Sequence, residues 1–166
     1  MILCTLWLVV ALGTGSAPKH EVSVQADRET SPMAHAHGAF DVKVTPQPAG
    51  PGEGFGSYLL EKTYTGDLEA TSSGQMLSAG DPKAGNAGYV AFERITGKLN
   101  TPDGMKTGSF ALMQQGTMIA GSVPQLSATI VPGSGTGELS GIHGSMTITI
   151  AAGKHSYALD YGWAHP

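Results

Sequence analysis

Two carboxylates inside strand-like stretches, Glu61 and Glu93, carry the clearest chemical potential in this chain. Buried together in one low-dielectric interior they cannot both ionise cheaply. One then holds a proton near neutral pH and serves as a general acid or as a donor that orients a ligand. The plainer reading pairs Glu93 with Arg94 or Lys62 on a solvated rim and leaves Glu61 as a strand-surface charge. Tyr89 and Tyr157 add hydroxyls able to donate to a carbonyl or carboxylate, although such tyrosines are more often core aromatics with a satisfied OH.

Other chemistries fail on residue type or spacing. His35 and His37 stand two apart, so an extended strand places both imidazoles on one face, but no third metal ligand lies near them. A solvated tail is the simpler account of that pair. His155, beside Tyr157, either borders the mouth of the fold or is structural. The only thiol is Cys4, which excludes an internal disulfide and any Cys/His zinc spacing, so no metal site is expected. The run Gly133-Ser-Gly-Thr-Gly-Glu-Leu-Ser-Gly141 lacks the Gly-Lys-Thr ending of a phosphate-binding loop and opens no helix. It reads as a turn packed over one end of the fold, and no cofactor is implied. Ser127, Ser140 and Ser145 lack a Gly-x-Ser-x-Gly elbow, so hydrolase chemistry has no support.

The elements that position these residues follow from composition and period. There are 24 glycines, roughly double the usual ~7%, and charged residues make up only 13% against the usual ~25%. That balance suits strands joined by tight turns, while an apolar share of 40% argues against disorder. A net charge of −4 without a basic cluster gives nucleic acid no electrostatic footprint. Two-residue alternation predicts strands at Ala39–Thr45, Ser57–Thr65, Asp67–Ala79, Gly88–Leu99, Thr107–Ile119, Gln125–Val131, Ser145–Ala151 and Lys154–Tyr161. Every link between them carries Gly or Pro, as hairpin reversals require, and no interior stretch supplies a crossover helix. An open antiparallel sheet of that size would leave two long edges that a Lys-poor chain cannot protect, so the sheet is expected to close into one eight-stranded antiparallel β-barrel. His155, Tyr157, Leu159, Tyr161 and Trp163 share one face of the last strand, which belongs inside or under a partner subunit.

The domain is expected over residues 33–166, after a leader or signal-like extension and linker at 1–32. Ile2–Leu12 has the length of a secretory apolar run and is too short to span a bilayer as a helix. No integral membrane segment is therefore expected. No Lys or Arg precedes that run, so location stays open: secreted if residues 1–17 are a signal peptide, cytoplasmic if translation starts near Met33.

Tyr64-Thr-Gly-Asp-Leu68, Ala87-Gly-Tyr-Val-Ala-Phe-Glu-Arg94, Gly108-Ser-Phe-Ala-Leu-Met-Gln-Gln-Gly-Thr-Met118, the loop Gly133–Gly141 and Gly153-Lys-His-Ser-Tyr157 are similar, in this order, to a bacterial family of unknown function. The match covers residues 37–163. That family resembles the allene oxide cyclase barrel, which shares a Tyr-Thr-Gly-Asp-Leu strand end and a glycine-rich loop before its penultimate strand. The resemblance implies an all-β, calycin-like barrel with an apolar lumen, and a cofactor-independent cyclase or isomerase acting on a fatty-acid-derived epoxide. Registered on Tyr64–Leu68, the enzyme's lumen-lining Asn falls at Glu61, its reactive Cys at Tyr89 and its pocket Tyr near Met118. None keeps its residue type, and Phe40–Thr45 offers no counterpart of the first-strand Glu.

The same register predicts which side chains face the lumen. Leu59, Glu61 and Thr63 would do so from one strand and Tyr89, Ala91 and Glu93 from another, joined by Phe110, Leu112, Gln114 and Met118, with Tyr157 also bordering the pocket. Two readings of function stand side by side. In one, a small apolar or lipid-like molecule binds in the lumen, with or without being cyclised or isomerised there. In the other, side chains fill the lumen and the protein is a structural or homo-oligomeric interaction module. An internal cavity of ligand size would favour the first, and a closed interior the second.

Overall fold

The computed structural model describes residues 33–48, 52–122 and 125–164. The signal-like extension and linker expected at 1–32 lie outside the described residues. Nine strands are present among the described residues: β1 (Ala34–Pro46), β2 (Phe55–Gly66), β3 (Leu68–Asp81), β4 (Asn86–Thr101), β5 (Gly104–Met118), β6 (Gln125–Ile130), β7 (Thr136–Gly137), β8 (Ile142–Ala151) and β9 (Lys154–Trp163). All strand pairings are antiparallel. One 3-10 turn, Pro82–Ala84, links β3 to β4.

The sheet closes on itself. Its order runs β4-β3-β2-β1-β9-β8-β6-β5, and β4 pairs with β5 again to complete the ring. Closure is uneven, because β6 and β8 share only the ladder pair Thr129↔Ser145. The expected closed antiparallel sheet of eight long strands is therefore present as an irregular ring, with the two-residue β7 added beside β5. Residues 34–40 of β1 pair with β9 and residues 38–46 pair with β2, a stagger of the kind that a closed sheet of tilted strands requires. His35 and His37 are thereby part of β1 and not a solvated tail, and His35 Nδ1 meets Asp160 Oδ1 at 2.6 Å across the β1–β9 seam.

Two corners show why particular sequence runs fold as they do. At the end of β2, Gly66 has φ +102, and a Cβ there would lie 2.5 Å from the His37 carbonyl oxygen. Asp67 accepts from the His37 N–H at 2.9 Å, and the Leu68 N–H donates to the Tyr157 hydroxyl at 2.9 Å. The Tyr-Thr-Gly-Asp-Leu run thus locks β1, β2, β3 and β9 together at one point.

The second corner is the glycine-rich loop. Ladder pairing between β5 and β6 begins at Leu112, which leaves the earlier part of β5 short of a partner strand on that side. The loop supplies acceptors at every second residue. Ser134 Oγ accepts from the Ala111 N–H, Thr136 Oγ1 from the Ser109 N–H, and Glu138 Oε2 from the Thr107 N–H, at 3.0, 3.2 and 2.8 Å. Leu139 is fully buried beneath it. Around the two-residue β7, which pairs with Gly108 and Ser109, the loop completes the wall of the ring with side-chain acceptors.

The interior is filled. Ala36, Phe40, Tyr64, Leu68, Ile95, Phe110, Leu112, Ile130, Leu159 and Tyr161 form one buried cluster. Glycine at two inward positions makes room for aromatic rings: a Cβ at Gly38 would stand 2.6 Å from the Tyr157 hydroxyl, and one at Gly116 would stand 2.5 Å from the Tyr89 ring.

Candidate functional site

Strand alternation assigns the inward face of β2 to Leu60, Lys62 and Tyr64, which are buried, and the outward face to Leu59, Glu61 and Thr63. The expected lumenal set on this strand is therefore reversed. A one-residue change of register moves every side chain to the opposite face, and the Gly66-Asp67 corner fixes which register is adopted. Glu61 is exposed and pairs with Lys43 at 3.1 Å on the outer surface. The shared-proton pair of Glu61 and Glu93 does not form.

On β4 and β5 the inward assignment holds for Ala91, Glu93, Phe110, Leu112 and Gln114, all of them buried. Glu93 is 2% exposed, and Lys62, 6% exposed, is its partner. Lys62 Nζ donates to Glu93 Oε1 at 2.7 Å, Tyr64 OH donates to the same oxygen at 3.1 Å, and Gln114 Nε2 donates to it as well. Ser72 Oγ donates to Glu93 Oε2 at 2.5 Å. Lys62 Nζ also sits 4.8 Å from the centre of the Phe40 ring, a cation–π contact. The plainer sequence reading offered Arg94 or Lys62 as the partner on a solvated rim; it is Lys62, and the pair lies in the interior.

This cluster is enclosed. Four donors converge on one carboxylate sealed from water, three on Oε1 and one on Oε2, so both oxygens of Glu93 are already hydrogen-bonded and neither has a path to a substrate. Burial, the charge of Glu93 and the hydrogen bond to it raise the Tyr64 hydroxyl far above the ordinary phenol value. Tyr157 is occupied too. Its hydroxyl accepts from the Leu68 N–H and donates to the Thr65 carbonyl at 3.2 Å, which leaves it no hydrogen to offer a ligand. Burial, followed by the charge of Glu93, raises Tyr89, which lies half-buried toward one end of the ring. Met118 ends β5 and is 38% exposed, so it does not line an interior pocket. Among the described residues no group of three or more His, Cys, Asp or Glu side chains is placed to hold a metal ion. No helix among them is long and apolar enough to cross a membrane.

Open space lies on the outside of the ring. One groove of about 740 Å³ is lined by Phe55, Leu77, Gly88, Tyr89, Val90 and Leu126, with Gln115, Thr117, Gln125 and Ser127 along one wall. Most of these positions, Leu77, Val90, Gln115 and Ser127 among them, alternate with buried residues and so point outward. Leu77 pairs with Val90, and Phe92 pairs with Met113, so their side chains form a continuous apolar stripe across β3, β4 and β5. Val90 and Phe92 remain 50% and 56% exposed. A second groove of about 760 Å³ is polar and runs over the outer side of β1 to β4, past Asp41, Lys43, Glu61, Thr63, Thr71 and Arg94.

Sequence reasoning did not identify Lys62, Tyr64 and Ser72 in the interior cluster, nor Phe55, Leu77, Val90 and Phe92 on the outer face. A signal existed for the second group: accepting Ala91 and Glu93 as inward forces Val90 and Phe92 outward.

No curated protein matches the chain. A solved structure that resembles it is the crystal structure of a protein with unknown function from the DUF3224 family of Shewanella oneidensis MR-1. The two are 43% identical, the match covers 81% of this chain and 99% of that one, and the TM-score is 0.71. The model of one family, described as Protein of unknown function (DUF3224), matches residues 36–161, and the chain belongs to that family.

Proposed function

We propose that this protein is a non-catalytic interaction module in which the ring is a rigid scaffold and the apolar outer face of β3, β4 and β5 is the working surface. The observation that carries this reading is the contrast between two faces of β4. Ala91, Glu93 and Ile95 are buried and satisfied, while Val90 and Phe92 stand exposed beside a groove. Contiguous exposed apolar surface costs solubility and is retained where something covers it. The interior reading, an apolar or lipid-like molecule held and cyclised in the lumen as in allene oxide cyclase, loses the donors it needs, since Glu93 and Tyr157 are already occupied.

The test places a photoreactive phenylalanine analogue at Val90, and in a second protein at Thr96 on the same outer side of β4, inside the native host. Adducts confined to position 90 support the reading. Equal labelling at both positions, or none at 90, overturns it.

A further inference from the structure

We infer that the occupant of this face is a second copy of the same chain, docked about a two-fold axis so that Phe92 of each copy enters the groove of the other. The inference rests on the outer-face reading above and names the partner.

Four features carry it. Ring closure pairs β3, β4 and β5 on both sides, so association by adding a strand to a free edge is not available there and contact must be made through a face. The face is free of charge: outward positions from Gln75 to Ala79, Gly88 to Phe92, Met113 to Thr117 and Gln125 to Thr129 hold no Asp, Glu, Lys or Arg. Glu61 and Arg94 mark its border. A charged partner would find nothing to pair with, whereas an identical neutral face of aromatic, Met and aliphatic side chains has the composition of an interface centre. Knob and groove lie on the same surface, Phe92 being the next outward residue after Val90 on β4, at about 6.8 Å. A two-fold axis between them makes the surface complementary to itself. Finally, the four strands β3 to β6 that carry this face, spaced ~4.8 Å apart and with about five residues each, give a patch of about 19 Å by about 17 Å. That is the centre of a standard interface of ~800 Å² per partner, with Gln, Ser and Thr as its rim.

Gly88, on the groove floor, provides a clean variant. A Cβ there would meet only the Gly116 carbonyl oxygen at 3.7 Å and Thr117 Cγ2 at 4.0 Å, so Gly88→Leu fills the groove without crowding the ring. The experiment is sedimentation equilibrium of the full chain over a wide concentration range, with thermal melts as a check on folding. The wild type should be a dimer. Phe92→Glu and Gly88→Leu should each weaken it at least tenfold, while Met105→Glu, an exposed apolar site at the other end of β5, should leave it intact. A wild type monomeric at every concentration overturns the inference, as does a dimer indifferent to both variants. An apolar fluorophore then separates the two proposals. A monomer whose binding of the dye is lost in Gly88→Leu keeps the outer-face reading and removes only the second copy; a monomer that binds no dye removes both.

Discussion

Lys62 Nζ lies 2.7 Å from Glu93 Oε1 in the interior of the ring, an ion pair sealed from water and bridging β2 to β4 across the intervening β3. Removing one partner strands the other charge in a low-dielectric interior. Glu93→Gln or Lys62→Met alone should cost about 3–5 kcal/mol in urea unfolding. The double variant Lys62→Met/Glu93→Gln leaves an amide oxygen for Tyr64 and Ser72 and should recover a large part of that loss. A coupling energy below about 1 kcal/mol in this cycle would contradict the geometry.

Glu61→Gln serves as the opposite case. Its carboxylate pairs with Lys43 on the outer surface, both side chains exposed, so water and salt already screen the contact. The loss should stay within about 1 kcal/mol and shrink as salt is added.

Gly38→Ala tests how tightly the interior is filled. The added Cβ would fall 1.9 Å from the Thr65 carbonyl oxygen and 2.6 Å from the Tyr157 hydroxyl, one of them rigid backbone. Overpacking of this kind should cost about 3 kcal/mol or more, seen as a lowered melting midpoint. A near-neutral result would mean that β1 and β2 can separate at this point.

Alkaline titration should destabilise the fold in a specific way. Burial and the neighbouring Glu93 raise Tyr64 far above its ordinary value of 10.0, and burial also raises Tyr157 and Tyr161. The unfolded chain loses these protons near pH 10 while the folded chain keeps them. Their contribution is complete below pH 10 and falls as pH rises through the folded values. Each such tyrosine should steepen the fall by ~1.4 kcal/mol per pH unit. Phenolate absorbance that appears only with unfolding, and a shallower fall in Tyr64→Phe, would confirm this; free titration of the folded protein would contradict it.

Much of the architecture was legible because it depends on local chemistry. Gly-Asp, Asp-Gly and Ala-Gly turns between alternating runs mark the hairpins, and the shortage of edge-protecting Lys points to closure. What escaped was set over long range. Thr136–Gly137 is too short to show a period, and the Ser134, Thr136 and Glu138 acceptors have meaning only beside the stretch of β5 before Leu112, which β6 does not reach.

Local chemistry along the chain is enough to specify a closed antiparallel sheet, because a period of two and turn-forming residues act between near neighbours. The facing of β2 depends on distant contacts, since Leu59-Glu61-Thr63 and Leu60-Lys62-Tyr64 alternate equally well. The choice between them is made where Gly66 and Asp67 dock on His37 and where Leu68 meets Tyr157 from the far end of the chain. With it came the burial of Lys62 against Glu93 and the exposure of Glu61.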